Sequence, residues 1–365
     1  MPISPLDDNS IQFYYDDSGA PAGLDNYATF VLVHGGIFHS PIFTPMFEHA
    51  AKYDLRLVAL NLRDYPYTTP LSTAELDALK GEKEAQRAQV RAFGSEIASF
   101  LAWYVQHEHI PPIAFSPSGD SISGGIALLG WSMGNCTTIS MLANADNLPE
   151  DIQRRLGRYM RTLVIYDPPC FALGMPDAGR FIPKALDLQT GPEYDMGQMF
   201  SLWVSSYYAH SPTFLSSIED ANEAQLDAGV VEKPIQDIPD QTPTVSRMTE
   251  AQLAGCVDYS VLGRSFRALI GVDRTVYDNN TRHGLFSKPI WPCLKVEYLW
   301  FDMSPGEVVY LVWYIHKLLN EARPVESREI NEERFYELNS TLAAPLGAPR
   351  SHCQTLREPD EIALF

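Results

Sequence analysis

Two hydrophobic periods alternate along the chain. Short unbroken apolar runs, the mark of strands buried on both faces of a parallel sheet, are separated by longer stretches with apolar residues three and four apart. Ala28–Val33, Leu55–Leu60, Gly124–Leu129, Thr162–Tyr166 and Val296–Phe301 read as five such strands. Ile11–Tyr15 reads as an earlier one, ended by Asp17-Ser18-Gly19. Helical spacing runs from about Thr73 to His107, with Ile97, Phe100, Leu101 and Tyr104 as the apolar stripe and Ser72 or Thr73 as the cap. Met133–Ala145 and Pro305–Ala322 also read as helices. The second opens on a capping box, with Ser304 as N-cap, Pro305 at the first helical position and Glu307 three residues after the cap. Arg334–Leu338 predicts a last strand and Glu358–Phe365 a last short helix. The alternation is that of an α/β domain. Between 171 and 289 the texture changes to scattered Pro, Met and aromatic residues without a strand run. The expected organisation is therefore a first core part (1–170), a largely helical insertion (171–289) and a second core part (290–365).

The sharpest chemical signal is Gly130-Trp131-Ser132-Met133-Gly134, set directly between a buried strand and a helix. A nucleophile in that position must turn abruptly to project its Oγ from the carboxyl edge of the sheet, and small residues two before and two after let strand and helix approach. The second signal is Val33-His34-Gly35-Gly36-Ile37-Phe38, immediately after the Ala28–Val33 strand. Glycines there let backbone N–H groups face a substrate with no Cβ in the way, so the N–H groups of Gly36 and Met133 are the expected oxyanion donors. Ile37, Phe38, Trp131 and Phe171 flank these positions and are expected to form an apolar pocket.

With these motifs the chain resembles the α/β-hydrolase superfamily, in particular cap-bearing serine hydrolases such as many uncharacterised fungal members. His34-Gly35-Gly36, Asn61-Leu62-Arg63-Asp64-Tyr65, Gly130–Gly134 and Glu358-Pro359-Asp360-Glu361 fall in that family's order, and the resemblance covers nearly the whole length. It implies a mostly parallel central sheet flanked by helices, with a helical cap inserted after the strand that follows the nucleophile helix. It also implies a Ser, acid, His triad in chain order under a lid that sets substrate choice. Ser132 is the expected nucleophile. Of nine His, only His316 and His352 lie beyond the insertion. His316 sits inside a predicted helix, and His352 precedes Glu358–Phe365, where the family places its base. A departure is the segment Asn339–Ser351, longer than the short turn through which the family usually reaches its His. Two acids compete. Asp302 follows the resumed strand, whereas Asp167 follows the strand after the nucleophile helix; Asp167 is favoured because Phe301–Gly306 reads as a turn into a capped helix.

The expected activity is cofactor-free cleavage of an ester or similar acyl bond of a small, moderately hydrophobic substrate. A catalytically impaired binding protein, or a carbon–carbon bond hydrolase or lyase on the same scaffold, are the alternatives. A Ser at the elbow argues against epoxide hydrolysis or dehalogenation, which in this superfamily use a carboxylate there.

Composition trims the remaining possibilities. In 365 residues, 27 basic side chains face 46 acidic ones, a net charge of −19. Such a balance argues against a nucleic-acid partner, which requires a Lys/Arg surface. Five Cys without a C-x-x-C pair argue against structural zinc and a disulfide framework. His107-Glu108-His109 lacks a third metal ligand, Cys136 and Cys353 read as incidental, and no glycine-rich nucleotide loop is present. Phe200, Trp203, Tyr207 and Tyr208 read as packing within the insertion, and the stretch 219–240, with seven acids and one Lys, as a solvated loop. The first eight residues carry no leader pattern and no run reaches a membrane-spanning length, so a cytoplasmic protein is expected. Nothing in the sequence speaks to oligomeric state.

Overall fold

The computed structural model describes residues 3–5, 7, 10–117, 122–176, 193–287 and 290–322. Six strands form one sheet in the order β1-β3-β2-β6-β7-β8. These are β1 (Tyr15–Asp17), β2 (Ala28–Val33), β3 (Leu55–Leu60), β6 (Ile126–Trp131), β7 (Met160–Tyr166) and β8 (Lys295–Leu299). β4 (Ala114–Phe115) and β5 (Ile122–Ser123) make a separate antiparallel pair. All neighbours in the main sheet are parallel except β1, which runs antiparallel to β3 at the edge.

Alternation along each strand sorts side chains to two cores. Val31 and Val33 of β2, Ile126 and Leu128 of β6, and Leu163 and Ile165 of β7 enter the larger core. Phe30, Leu32, Ala127, Leu129, Val164 and Tyr166 enter the smaller one. Because both faces are covered, the strands read as unbroken apolar runs. The larger core is closed by α3 (Lys83–His107), α4 (Asn135–Ala143) and α13 (Gly306–Ala322), and the smaller one takes in Ala50 of α1 (Thr44–Ala50). Helices α3 and α4 cross so closely that a Cβ on Gly94 would lie 2.5 Å from the Met141 nitrogen.

Two elements depart from expectation. The predicted helix from Thr73 to His107 is two helices, α2 (Thr73–Lys80) and α3, parted at Gly81. Gly81 leaves the helix in an extended conformation, while Ser72 and Glu75 form a reciprocal capping box at the start of α2. The first strand lies later than Ile11–Tyr15: Tyr15–Asp17 pair with β3, whereas Tyr14 makes only an isolated bridge to Ile3. Arg334–Leu338 and Glu358–Phe365 lie outside the described residues.

After β6 come α4 and α5 (Glu150–Leu156). The described connection from β7 to β8 is helical throughout: α6 (Glu193–Val204), α7 (Pro212–Leu215), α8 (Glu223–Gly229), α9 (Thr244–Arg247), α10 (Glu250–Cys256), α11 (Arg267–Ile270) and α12 (Arg274–Phe286), with short 3-10 and π turns between them. Its last helix, α12, rests on α4: a Cβ on Gly284 would meet Ala143 at 3.4 Å. Its middle is tied to the loop after β2 by backbone bonds from Asp258 N–H to the Ile37 carbonyl (2.8 Å) and from His39 N–H to the Cys256 carbonyl (2.9 Å). Strand order, parallel crossovers and a helical connection between β7 and β8 make this an α/β-hydrolase fold. Among the described residues, no helix is long and apolar enough to cross a membrane.

Candidate active site

Ser132 sits where β6 ends and a single 3-10 turn leads into α4. Its φ is +50°, a left-handed conformation that costs a side-chain-bearing residue energy and persists only where the surroundings enforce it. The neighbours show how. A Cβ on Gly130 would fall 2.3 Å from Thr138 Oγ1, and one on Gly134 would fall 2.5 Å from the His34 carbonyl oxygen. Asn135 secures the bend, its amide donating to the carbonyls of Ser132 (2.9 Å) and Tyr166 (3.2 Å). One side chain thus ties the serine turn to the end of β7, next to Asp167.

The loop after β2 approaches the serine from the other side. A Cβ on Gly35 would lie 2.8 Å from Ser132 Cβ, so only glycine fits. His34 is fully buried, and burial depresses its pKa to about 3, so the ring is neutral. Its Nδ1 donates to the Gly35 carbonyl at 2.8 Å while its Nε2 accepts the Leu62 N–H at 2.9 Å, a tautomer assigned from these partners. The buried Tyr65 hydroxyl accepts the Ile37 N–H at 3.0 Å and donates to the Gly35 carbonyl at 3.4 Å. His34 and the Asn61–Tyr65 segment therefore serve to hold the loop. No loop or cap hydrogen bond among the described residues uses the N–H of Gly36 or of Met133.

Asp167 follows β7 directly and also has a left-handed φ, +39°. Its Oδ1 accepts the Phe301 N–H at 3.2 Å and its Oδ2 accepts the Ser304 hydroxyl at 2.9 Å. Burial raises its pKa to about 7, against the pull of those two bonds. His210 extends the chain of contacts, with Nε2 2.8 Å from the Ser304 carbonyl and Nδ1 accepting the Val231 N–H at 2.9 Å. The expected capping box at α13 is thus replaced: the Ser304 hydroxyl goes to Asp167, the Ser304 N–H to the Phe301 carbonyl (3.1 Å), and the Glu307 carboxylate to the Cys170 N–H (3.4 Å). A local signature of capping was read where tertiary partners claim the same atoms.

Ser132, Asp167 and Glu307 face one cavity of ≈50 Å³, walled by Phe38, Trp131, Phe200, Val204 and Val308. On this measure one water needs about 10–15 Å³, so the space holds a few heavy atoms. A wider recess of ≈580 Å³ lies elsewhere, among Arg154, Arg155, Arg158 and His109, far from Ser132 in the fold and lined by basic residues at the ends of α3 and α5, where helix dipoles favour them.

Of the residues anticipated for the site, Ser132, Gly36, Phe38, Trp131 and Asp167 border the cavity. Met133 is buried beside it. Ile37 is fully buried, and Phe171 packs in the core against Tyr277 (6.2 Å) with the Arg274 guanidinium 5.4 Å from its ring. Asp302 lies outside the cavity wall; burial raises its pKa and the His210 side chain lowers it. His352 lies outside the described residues. Among the described residues no imidazole hydrogen-bonds to Ser132.

Asn135 escaped the sequence reading, Ser304 and Glu307 were read only as a helix cap, and Phe200 was read as internal packing. Asn135, one residue past the Gly-x-Ser-x-Gly motif, was the most accessible signal, because a polar residue in the first turn of a buried helix needs partners.

No protein-family model and no curated protein matches the sequence. Solved structures similar to it include a carboxylesterase of the thaumarchaeon Nitrososphaera gargenis (13% identity, 87% of this chain and 85% of that one, TM-score 0.42). An esterase of Exiguobacterium antarcticum (12%, 85% and 85%, TM-score 0.40) and a bromoperoxidase of Bacillus anthracis (11%, 88% and 87%, TM-score 0.38) are others. Likeness at this level bears on neither substrate nor mechanism, and the fold rests on the strand order given above.

Proposed function

We propose that the protein is a cofactor-independent serine hydrolase that cleaves an ester or similar acyl bond of a small substrate. The observation that carries this reading is the left-handed Ser132 turn, which opens into the same small cavity as a buried carboxylate and lies beside two backbone N–H groups that have no loop or cap partner among the described residues. In this reading Ser132 Oγ attacks the carbonyl carbon, and His352 takes its proton. Asp167 orients the imidazole and stabilises its cationic form, and the N–H groups of Gly36 and Met133 hold the oxyanion. The imidazolium then gives its proton to the leaving alcohol, and water resolves the acyl-enzyme by the same relay. Residues 171–289 are proposed as the cap, with Phe200 and Val204 forming its side of the cavity.

A fluorophosphonate probe tests the reading: labelling of the folded protein that is lost in Ser132→Ala and reduced by orders of magnitude in His352→Ala is the expected result. Absence of labelling in folded protein overturns it. That outcome would favour a second reading, a ligand-binding protein on a hydrolase scaffold. The observation on its side is that the buried imidazoles of His34 and His210 are committed to backbone groups, and that among the described residues no imidazole hydrogen-bonds to Ser132.

A further inference from the structure

Glu307 is the one group on the cavity wall that this mechanism leaves idle. It is the second residue of α13 and is only 9% exposed. One carboxylate oxygen, Oε2, accepts the Cys170 N–H at 3.4 Å; no described group hydrogen-bonds to the other. The cation whose field reaches it, Arg274, is bound to the Ile270 carbonyl at 3.0 Å and stands against the Phe171 ring, and among the described residues it forms no ion pair with Glu307. Asp167 adds a second carboxyl to the same few ångströms of space. That oxygen is not among the fully buried side-chain atoms left without a partner, so it is open to an incoming donor from the cavity. Apart from Ser132, Asp167 and the glycine loop, which the mechanism uses, the walls are aromatic or aliphatic.

We propose that Glu307 is a specificity-determining residue whose free carboxylate oxygen receives an ammonium group carried by the acyl part of the substrate, a few atoms from the carbonyl that Ser132 attacks. The proposal rests on the reading of Ser132 as nucleophile. The size of the cavity limits the acyl part to a short chain, and with Asp167 committed to the imidazole of the proposed base, the Glu307 carboxylate is the wall group that selects a positive donor over a neutral one. Burial lifts the Glu307 pKa to about 7 against the pull of the Cys170 N–H and Arg274, and an ammonium seated at its open oxygen would lower it. The aromatic and aliphatic wall residues decide only shape, so charge selection falls to this side chain.

The test uses two p-nitrophenyl esters with acyl chains of equal length, 3-aminopropanoyl and butanoyl, which differ by ammonium against methyl. Spontaneous hydrolysis is subtracted, and sites are counted by fluorophosphonate titration. The unaltered protein is expected to favour the ammonium ester by about tenfold or more in kcat/KM, the value of one charged hydrogen bond out of water. In Glu307→Gln the ratio is expected to fall by a similar factor, mainly through KM. A ratio near or below one in the unaltered protein overturns the proposal, as does a high ratio that survives in Glu307→Gln. Should that variant not fold, protection decides: propylammonium slows labelling of Ser132 in the unaltered protein more than 1-propanol does, and equal or absent protection overturns the proposal. Failure of the underlying reading is distinct, because then Ser132 takes no label at all.

Discussion

Ser304→Ala probes the contact on which the proposed acid depends. Its hydroxyl makes the shorter of the two bonds to Asp167, 2.9 Å against 3.2 Å from the Phe301 N–H. A hydrogen bond to a buried charged group is worth about 1.5–3 kcal/mol, so its loss raises the Asp167 pKa by roughly one to two units above its present value. Two measurements follow from the sign. Asp167 must be ionised to orient an imidazole, so activity is lost as pH falls through its pKa. The acid limb of kcat/KM on a short aryl ester therefore moves to higher pH in Ser304→Ala, by about one unit, and Ser304→Thr restores it. The limb belongs to the acid and base together, so the shift and not its absolute position is diagnostic. Stability carries the same sign. The folded pKa of Asp167, about 7, lies above the unfolded value of about 3.9. Its contribution is therefore present below pH ~4 and lost as pH rises through ~7. Removing the hydroxyl deepens that loss, so urea denaturation finds Ser304→Ala destabilised by about 1 kcal/mol more at pH 8 than at pH 4, where Asp167 is protonated with or without the hydroxyl. An acid limb that superposes on that of the unaltered protein, with a stability loss independent of pH, refutes the assignment of Ser304 to Asp167.

Three further outcomes are expected. Asp167→Asn lowers turnover of the same ester by orders of magnitude, whereas Asp302→Asn, outside the cavity wall, changes it less than about tenfold; the reverse order reassigns the acid. Around the buried Arg63, Glu75 and Glu96 respond differently. Burial raises Glu96 to about 7 despite Arg63 at 3.0 Å, while burial of Glu75 is outweighed by two bonds to Arg63 and the Ser72 N–H, so its pKa is lowered. Denaturation at pH 7 should show Glu75→Gln costing about 1–3 kcal/mol, a cost that holds down to pH ~4 and fades only below it, as Glu75 protonates in the folded protein, and Glu96→Gln costing under about 1 kcal/mol. Gly94→Ala forces α3 from α4 against backbone atoms at 2.5 and 2.7 Å and should cost about 3 kcal/mol or more in thermal or chemical unfolding.

What could be read from the chain follows from range. Ala28–Val33 and Leu55–Leu60 emerge as β2 and β3 to the residue, because burial on both faces leaves an unbroken apolar run and needs no knowledge of partners. The serine turn was legible as a local pattern between strand and helix: Gly130 answers contacts with Thr138 and Asn135 within that unit, although Gly134 answers the distant His34 carbonyl. Gly81 was passed over because Lys80-Gly-Glu-Lys83 is polar on either side, and the stripe of α3 reads straight through it. Glu307 and Ser304 were misread because capping is a pattern of three neighbours, whereas their real partners, Cys170 and Asp167, stand more than a hundred residues away. The choice between Asp167 and Asp302 was undecidable by spacing, since both follow strands that lie side by side in the sheet.

Phe266 lies directly over the glycine loop: a Cβ on Gly36 would be 2.2 Å from its ring, and the ring meets Phe200 edge to face at 5.1 Å. Both rings come from the β7–β8 connection, while the serine turn and glycine loop come from the sheet. Phe200 walls the cavity and Phe266 packs against it, so the space above the serine turn is bounded by rings that do not belong to the sheet. A phenylalanine exchanged for alanine at either position would lengthen the chamber along a direction already chosen by the fold.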